Sequence, residues 1–250
     1  MAFPWTVQLG TVAVSAHFLF ESAAYIAGFA LYQRQRQALG DVIPDPIRSS
    51  IIVATILGAF LGSKLLFLLE DPALTMQHWR DLAYIMGGKT IVGGLLGGTL
   101  AVEWTKARLG ITRRTGDLFV LPLIVGMAIG RVGCFVSGLH DHTYGLATSL
   151  PWGVDLGDGI SRHPVQLYEI SFLAATGWLL HTARPVLPEG GQFRGFLILY
   201  LAWRLAADFL KPGISVAGLT PIQWTCLFAL LWYLRNAPEW FAARKKPLHG

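Results

Sequence analysis

Long apolar segments alternate with short polar ones along the whole chain. Windows of about 19 residues identify seven such segments, near 11–32, 51–69, 88–104, 118–138, 165–182, 194–211 and 217–235. About 20 apolar residues in helical form cross the hydrocarbon core of a bilayer. The pattern predicts an all-α integral membrane fold with about seven transmembrane helices. We expect one transmembrane domain over residues 1–250 and an outward-facing loop at about 139–164.

The composition agrees with a membrane protein and excludes other classes. Hydrophobic residues make up 53% of the chain and charged residues 14%, whereas soluble domains carry about 25% charged residues. Cys134 and Cys226 both lie in predicted spans, so they do not form the disulfide framework of a small secreted domain.

The distribution of Lys and Arg predicts the orientation. Of the 20 basic residues, 13 fall in the first, third and fifth loops and the C-terminal tail, and 4 fall in the loops on the opposite side. Basic loops stay cytoplasmic, so the N-terminus is expected outside and the C-terminus inside. The net charge of +5 therefore reflects topology, and no nucleic-acid partner is expected.

Two arginines lie inside predicted spans, where a charge is costly without a partner or a polar cavity. Arg131 lies between Gly130 and Gly133, and Arg204 lies four residues before Asp208, the helical spacing of an ion pair. Internal ion pairs are one interpretation. We favour the other, phosphate binding, because guanidinium binds phosphate bidentately and two obvious acidic neighbours are lacking in the sequence. The glycines would let a head group approach the backbone.

Two further patterns leave alternatives open. Gly93-Gly94 belongs to a series of paired glycines that favours close helix packing, with a cavity-lining role as the alternative. His140-Asp141-His142, together with His163, suggests either a metal site or a general base. We favour a base, and assign no metal and no cofactor.

Three motifs between Gly130 and Glu169 resemble the signature of the prolipoprotein diacylglyceryl transferase family. The last of them is the most specific, since it has eight residues in a fixed order. Weaker matches at Gly93-Gly94, Arg204 and Asp208 extend the resemblance over residues 10–235. The motifs are Gly130-Arg131-Val132-Gly133-Cys134-Phe135, Tyr144-Gly145 and Arg162-His163-Pro164-Val165-Gln166-Leu167-Tyr168-Glu169.

The resemblance implies a multi-pass enzyme of the bacterial inner membrane. Such an enzyme transfers the diacylglyceryl group of phosphatidylglycerol, or a similar anionic phospholipid, to the cysteine thiol of a lipoprotein precursor and releases glycerol phosphate. It implies that Arg131 and Arg204 stabilise the departing phosphate, and it leaves His142 or His140, oriented by Asp141, as the base. The residues expected to bind substrate or shape the outer mouth are Gly93, Gly94, Gly130, Gly133, Cys134, Tyr144, Arg162, His163, Gln166, Tyr168, Glu169 and Asp208.

The chain also departs from the family pattern. Val92 stands where the family usually has its histidine base, Cys134 replaces an Asn, and Leu139 lies where an Asn-Gly-Glu run is usual. We interpret Cys134 as a small helix residue, with a reactive thiol as the alternative. The departures leave two other functions open, namely another acceptor or a non-catalytic phospholipid-binding or phospholipid-transporting protein. An ion-coupled transporter ranks last, because no repeat is visible.

Overall fold

The computed structural model describes residues 3–9, 12–41 and 43–236, and these are mostly helical. The strands are β1 (Thr6–Leu9), β2 (Val12–Ser15), β3 (Val154–Asp155) and β4 (Ser161–Arg162). The helices are α1 (Ala16–Leu39), α2 (Asp45–Glu70), α3 (Pro72–Gln77), α4 (Leu82–Gly87), α5 (Ile91–Arg108), α6 (Val120–Val136), α7 (Val165–Ala183), α8 (Gly191–Ala207) and α9 (Pro221–Arg235). Two short 3-10 turns carry predicted site residues, Gly138–Asp141 after α6 and Asp208–Leu210 after α8.

The long helices α1, α2 and α5 to α9 correspond to the seven apolar segments, so the mainly helical expectation is confirmed. The all-α expectation was wrong for two short hairpins. The first predicted span began at residue 11, whereas β2 pairs antiparallel with β1 up to Ser15 and α1 begins after it. The alternation and β-branched residues of Val12–Ser15 favour a strand, and the Ser15 hydroxyl accepts the Phe18 N–H at 3.3 Å, capping the helix.

Two helical segments, Asp45–Glu70 and Gly116–Val136, are long and apolar enough to cross a membrane by length and composition. The exposed side of α2 is covered by large apolar side chains, including Ile56, Leu57 and Leu61. Such a surface is typical of contact with lipid. Seven crossings, the orientation and a single domain over residues 1–250 stay predictions, and the basic C-terminal tail lies outside the described residues.

The described residues form two compact units, and those within 1–40 and 115–212 make up most of the first. In its described part, α1 packs along α6, and α7 contacts both α6 and α8. Phe196, Leu197, Tyr200 and Leu201 of α8 are all fully buried. Their spacing places them on one stripe of the helix, which forms the centre of this unit and carries Arg204 one turn further along.

Residues 41–114 and 213–235 make up the second unit, in which glycines bring α2 and α5 into direct backbone contact. A Cβ on Gly93 would collide with the carbonyl oxygen of Gly62, and one on Gly97 would collide with that of Gly58. A Cβ on Gly94 would meet only ordinary contacts, the nearest at 3.6 Å. Gly93 therefore packs helices together, as the glycine series indicated.

We expect Gly93→Ala to destabilise the protein and Gly94→Ala to leave it as stable or more so. Both changes replace a glycine within a helix by alanine, and this replacement by itself favours the helix by about 1 kcal/mol. Only the first forces α2 and α5 apart, which typically costs about 1–3 kcal/mol. Thermal unfolding of both variants in detergent measures the difference, and equal melting temperatures would contradict the packing role.

Candidate active site

A buried ion pair joins α6 to the first turns of α7. The Nε atom of Arg131 lies 3.0 Å from Oε2 of Glu169, and the two residues are 5% and 2% exposed. Removing one partner of such a pair leaves a buried charge and is strongly destabilising. The arginine and the carboxylate therefore depend on each other.

A second arginine binds the same carboxylate. Nη1 of Arg204 lies 3.6 Å from Oε2 of Glu169, while its Nη2 donates to Oδ1 of Asp208 at 2.7 Å. The Tyr200 hydroxyl donates to Oε1 of Glu169 at 2.8 Å. Residues 200, 204 and 208 are four apart, so helix α8 and the turn after it present them on one side. That spacing had left the Arg204–Asp208 ion pair open in the sequence as the alternative to phosphate binding.

The sequence argument that the two arginines lack acidic neighbours was wrong. Glu169 and Asp208 balance the formal charge of the two arginines, and the pairing of Arg131 with Glu169 joins positions far apart in the sequence. Lys211 also approaches Asp208, at 3.9 Å, and in its protonated form it gives the cluster a formal surplus of one positive charge. A phosphodiester carries one negative charge and would balance that surplus.

One donor of this arginine cluster (Arg131, Arg204, Lys211, Glu169 and Asp208) is available to a ligand. The Nε atom of Arg204 is buried and has no hydrogen-bond partner in the described part of the chain. A buried donor without a partner costs about 1–3 kcal/mol, so a ligand oxygen at this position would be bound favourably.

A second group of polar side chains adjoins the arginine cluster. Nη1 of Arg131 donates to Sγ of Cys134 at 3.8 Å, and one ligand atom from each of His17, Cys134 and Asp141 lies within 4.8 Å of the other two. Nδ1 of His17 is 2.9 Å from Oδ1 of Asp141. Burial alone would raise the pKa of Asp141, but hydrogen bonds from His17 and Thr143 bring that pKa below its ordinary value. We call His17, Cys134 and Asp141 the thiol cluster.

Sequence reasoning missed His17 and assigned its neighbours differently. His140 and His142 are exposed on the loop after α6, and the carboxylate of Asp141 contacts His17. His17 lies in the first turn of α1 and belongs to no motif, so only tertiary packing reveals it. Tyr200 was also missed, although its position one turn before Arg204 was a usable signal.

The two glycines around Arg131 differ in their surroundings. A Cβ on Gly133 would lie 2.7 Å from the Phe20 side chain, so this glycine allows α1 and α6 to pack closely. A Cβ on Gly130 would have no neighbour within 4 Å. Of the two, Gly130 is the one that borders open space.

The loop that precedes α7 is held by Tyr168. Its hydroxyl accepts a hydrogen bond from Nε1 of Trp152 at 2.8 Å and lies 3.3 Å from Nδ1 of His163. Gln166 is buried, and its Nε2 donates to Thr143 at 3.4 Å. These contacts connect the last predicted motif to the segment that carries Asp141.

The remaining predicted residues lie further out on the same loop. Arg162 pairs with Val154 in the β3–β4 hairpin. It also forms an ion pair with Asp158, in which the Nε of Arg162 lies 3.1 Å from Oδ2 of Asp158. Its guanidinium lies 5.0 Å from the ring centre of Tyr144. The predicted set thus separates into a buried cluster, the loop between α6 and α7, and Gly93 with Gly94 on α5 in the second unit.

Comparison with known proteins shows the family to which the chain belongs. Residues 4–235 match the family described as prolipoprotein diacylglyceryl transferase. A phosphatidylglycerol–prolipoprotein diacylglyceryl transferase of Nitrosomonas europaea is 31% identical, with 98% of this chain and 95% of the relative covered. The enzyme of the same name from Cupriavidus necator is 32% identical, with 94% of each chain covered. A match over nearly the whole length, at this identity, shows that the chain belongs to the prolipoprotein diacylglyceryl transferase family.

Proposed function

We propose that the protein transfers the diacylglyceryl group of phosphatidylglycerol to the cysteine thiol of a lipoprotein precursor and releases glycerol phosphate. The observation that carries this proposal, beside membership of the family, is the arginine cluster. Glu169 holds two buried guanidinium groups together in a mainly helical membrane protein. That arrangement suits an anionic lipid head group better than it suits a structural ion pair, because it leaves a buried donor without a partner and, when Lys211 is protonated, one positive charge uncompensated.

The chemistry requires stabilisation of the leaving group. The sulfur attacks the glyceryl carbon, the bond from that carbon to the phosphate oxygen breaks, and negative charge develops on the departing phosphate. Donors that are already in position lower the energy of that transition state without reorganising. Arg131 and Arg204 have this role, and Gly130 leaves room for the head group.

The acceptor side of the reaction belongs to the thiol cluster. The base was expected at His140 or His142, oriented by Asp141. We keep Asp141 and assign His17 as its partner, because their side chains are 2.9 Å apart and both lie beside Cys134. Val92, at the family's usual histidine position, is fully buried in α5 and cannot accept a proton.

The proposed setting is the bacterial inner membrane, with seven crossings and the N-terminus outside. In this topology the loop at 139–164 lies on the outer face, where an exported precursor arrives. The apolar surface of α2 and the match to the family support this placement.

Purified protein in detergent, mixed with phosphatidylglycerol and a peptide with a lipobox cysteine, tests the proposal by mass spectrometry. We expect the peptide to gain one diacylglyceryl group for each glycerol phosphate released, and no product from a peptide with Ser in place of that Cys. Glycerol phosphate without modified peptide would indicate another acceptor. Bound but unchanged lipid would contradict transfer and support a phospholipid-binding protein.

We expect Arg131→Gln and Arg204→Gln each to lower kcat by about 100- to 1,000-fold, the usual effect of removing one transition-state donor. Arg34→Gln, at an exposed position on α1, is the matched control and should keep full activity. Because the single changes leave a carboxylate less well compensated, Arg131→Gln combined with Glu169→Gln serves as a charge-neutral variant. That double variant should melt near the wild-type temperature and remain inactive; wild-type activity in it would refute the role of Arg131.

Tyr168→Phe should raise KM for the acceptor peptide several-fold and change kcat little. The change removes the hydroxyl that accepts the hydrogen bond of Trp152 and lies beside His163. The loop before α7 therefore becomes less ordered, while every side chain of the arginine cluster is kept. Trp152→Phe removes the same hydrogen bond from the other side. The double variant should therefore resemble either single variant, and additive effects on KM would show that the hydrogen bond does not order the loop.

A further inference from the structure

We propose that His17, Cys134 and Asp141 form a binding site for a divalent metal ion. The chemistry of these three ligands favours zinc. We further propose, on the basis of the proposed function, that the open position of this metal takes the acceptor thiol. Metal coordination, in place of proton transfer to the pair of His17 and Asp141, would then provide the thiolate in a chain that has Val92 where the family usually has a histidine.

The three side chains offer a thiolate, an imidazole nitrogen and a carboxylate oxygen, a donor set that zinc accepts in tetrahedral geometry. Oxygen-preferring ions such as magnesium disfavour such a set. The ligand atoms lie within 4.8 Å of one another. Ligand atoms around a tetrahedral zinc are about 3.3–3.7 Å apart, given the usual bond lengths, so small side-chain movements bring all three onto one ion.

The histidine ligand has a hydrogen-bond partner on the side away from the thiol cluster. Nδ1 of His17 faces Asp141, and its other ring nitrogen, Nε2, lies 3.6 Å from the carboxylate of Glu21. Tyr25 in turn donates to Glu21 at 3.2 Å. A histidine that binds a metal generally donates its second N–H to such a carboxylate, which fixes the ring.

Asp141 and Cys134 are oriented in the same way. Thr143 donates to Oδ2 of Asp141 at 2.6 Å, while Oδ1 faces His17. Arg131 donates to Sγ of Cys134, and its own charge is compensated by Glu169. The guanidinium can therefore stabilise a metal-bound thiolate without opposing the cation.

Three protein ligands leave one tetrahedral position open, as in catalytic zinc sites. An acceptor thiol that replaces water at this position loses its proton to solvent, because a coordinated thiol is deprotonated. Its sulfur then attacks the glyceryl carbon, the carbon–oxygen bond to phosphate breaks, and glycerol phosphate leaves with the electron pair. The thioether formed is a weak ligand and gives way to water.

Arg131 connects the arginine cluster to the thiol cluster. Arg131 contacts Glu169 through Nε and Cys134 through Nη1. A thiolate on the metal would thus lie beside a phosphodiester bound by the arginines, as in-line displacement requires. The side chain of His17 is 28% exposed, which leaves the cluster accessible to a peptide.

Metal content tests the site without reference to activity. The full-length protein in detergent is stripped with a chelator, incubated with Zn²⁺, desalted and analysed by elemental mass spectrometry. We expect one zinc per chain in the wild type and in Cys226→Ala, the matched control in the second unit, and a loss of at least tenfold in affinity in Cys134→Ala and Asp141→Asn. Equal melting temperatures of the metal-free variants establish that they are folded. No zinc in the wild type, or equal binding by Cys134→Ala, would overturn the metal site.

Cobalt substitution tests the role of the open position. The Co²⁺ protein should show a sulfur-to-metal absorption band that Cys134→Ala lacks, and a lipobox peptide should intensify the band while its Cys→Ser version should not. An unchanged spectrum would overturn thiol coordination. Full transfer activity in chelator-stripped protein would likewise refute metal activation but leave the transferase in place, whereas a zinc-loaded protein that coordinates the peptide thiol and forms no product would contradict only the transferase.

Discussion

The buried carboxylate of Glu169 is the constraint on which the candidate site depends. Two guanidinium groups on α6 and α8 would repel each other in a medium from which water is excluded, and Glu169 on α7 holds both of them. Desolvation of these charges is costly, and their mutual attraction compensates for it only with good geometry. The Tyr200 hydroxyl supplies that geometry from the fully buried stripe of α8.

Arg131 connects the two halves of the proposed chemistry. One edge of its guanidinium binds the carboxylate that organises the lipid phosphate site, and the other donates to the sulfur of Cys134. The thiol cluster carries its own supporting contacts, from Glu21 to His17 and from Thr143 to Asp141. Under the proposed function, a site with this division would keep the lipid among the helices and receive the acceptor where α1 and the loop after α6 begin.

The sequence predicted the features that depend on local pattern. Apolar runs predicted the seven long helices, and the four-residue spacing of Arg204 and Asp208 left their ion pair open as one of two interpretations. It did not predict the pairing of Arg131 with Glu169 or the contact of His17 with Asp141, because both join elements distant in the chain. The β1–β2 hairpin was missed in the sequence for another reason. A short apolar strand directly before a helix has the same hydropathy as the helix itself, so the two read as one apolar segment.

The most direct test of the central claim is an experimental structure of the protein with phosphatidylglycerol bound. The account predicts that phosphate oxygens accept hydrogen bonds, at about 2.7–3.1 Å, from Arg131 and Arg204, including the Nε of Arg204 that has no partner without lipid. Glu169 should remain between the two arginines. A phosphate bound elsewhere, with both arginines still engaged only by Glu169 and Asp208, would show that the cluster is a structural ion-pair network and would contradict the account.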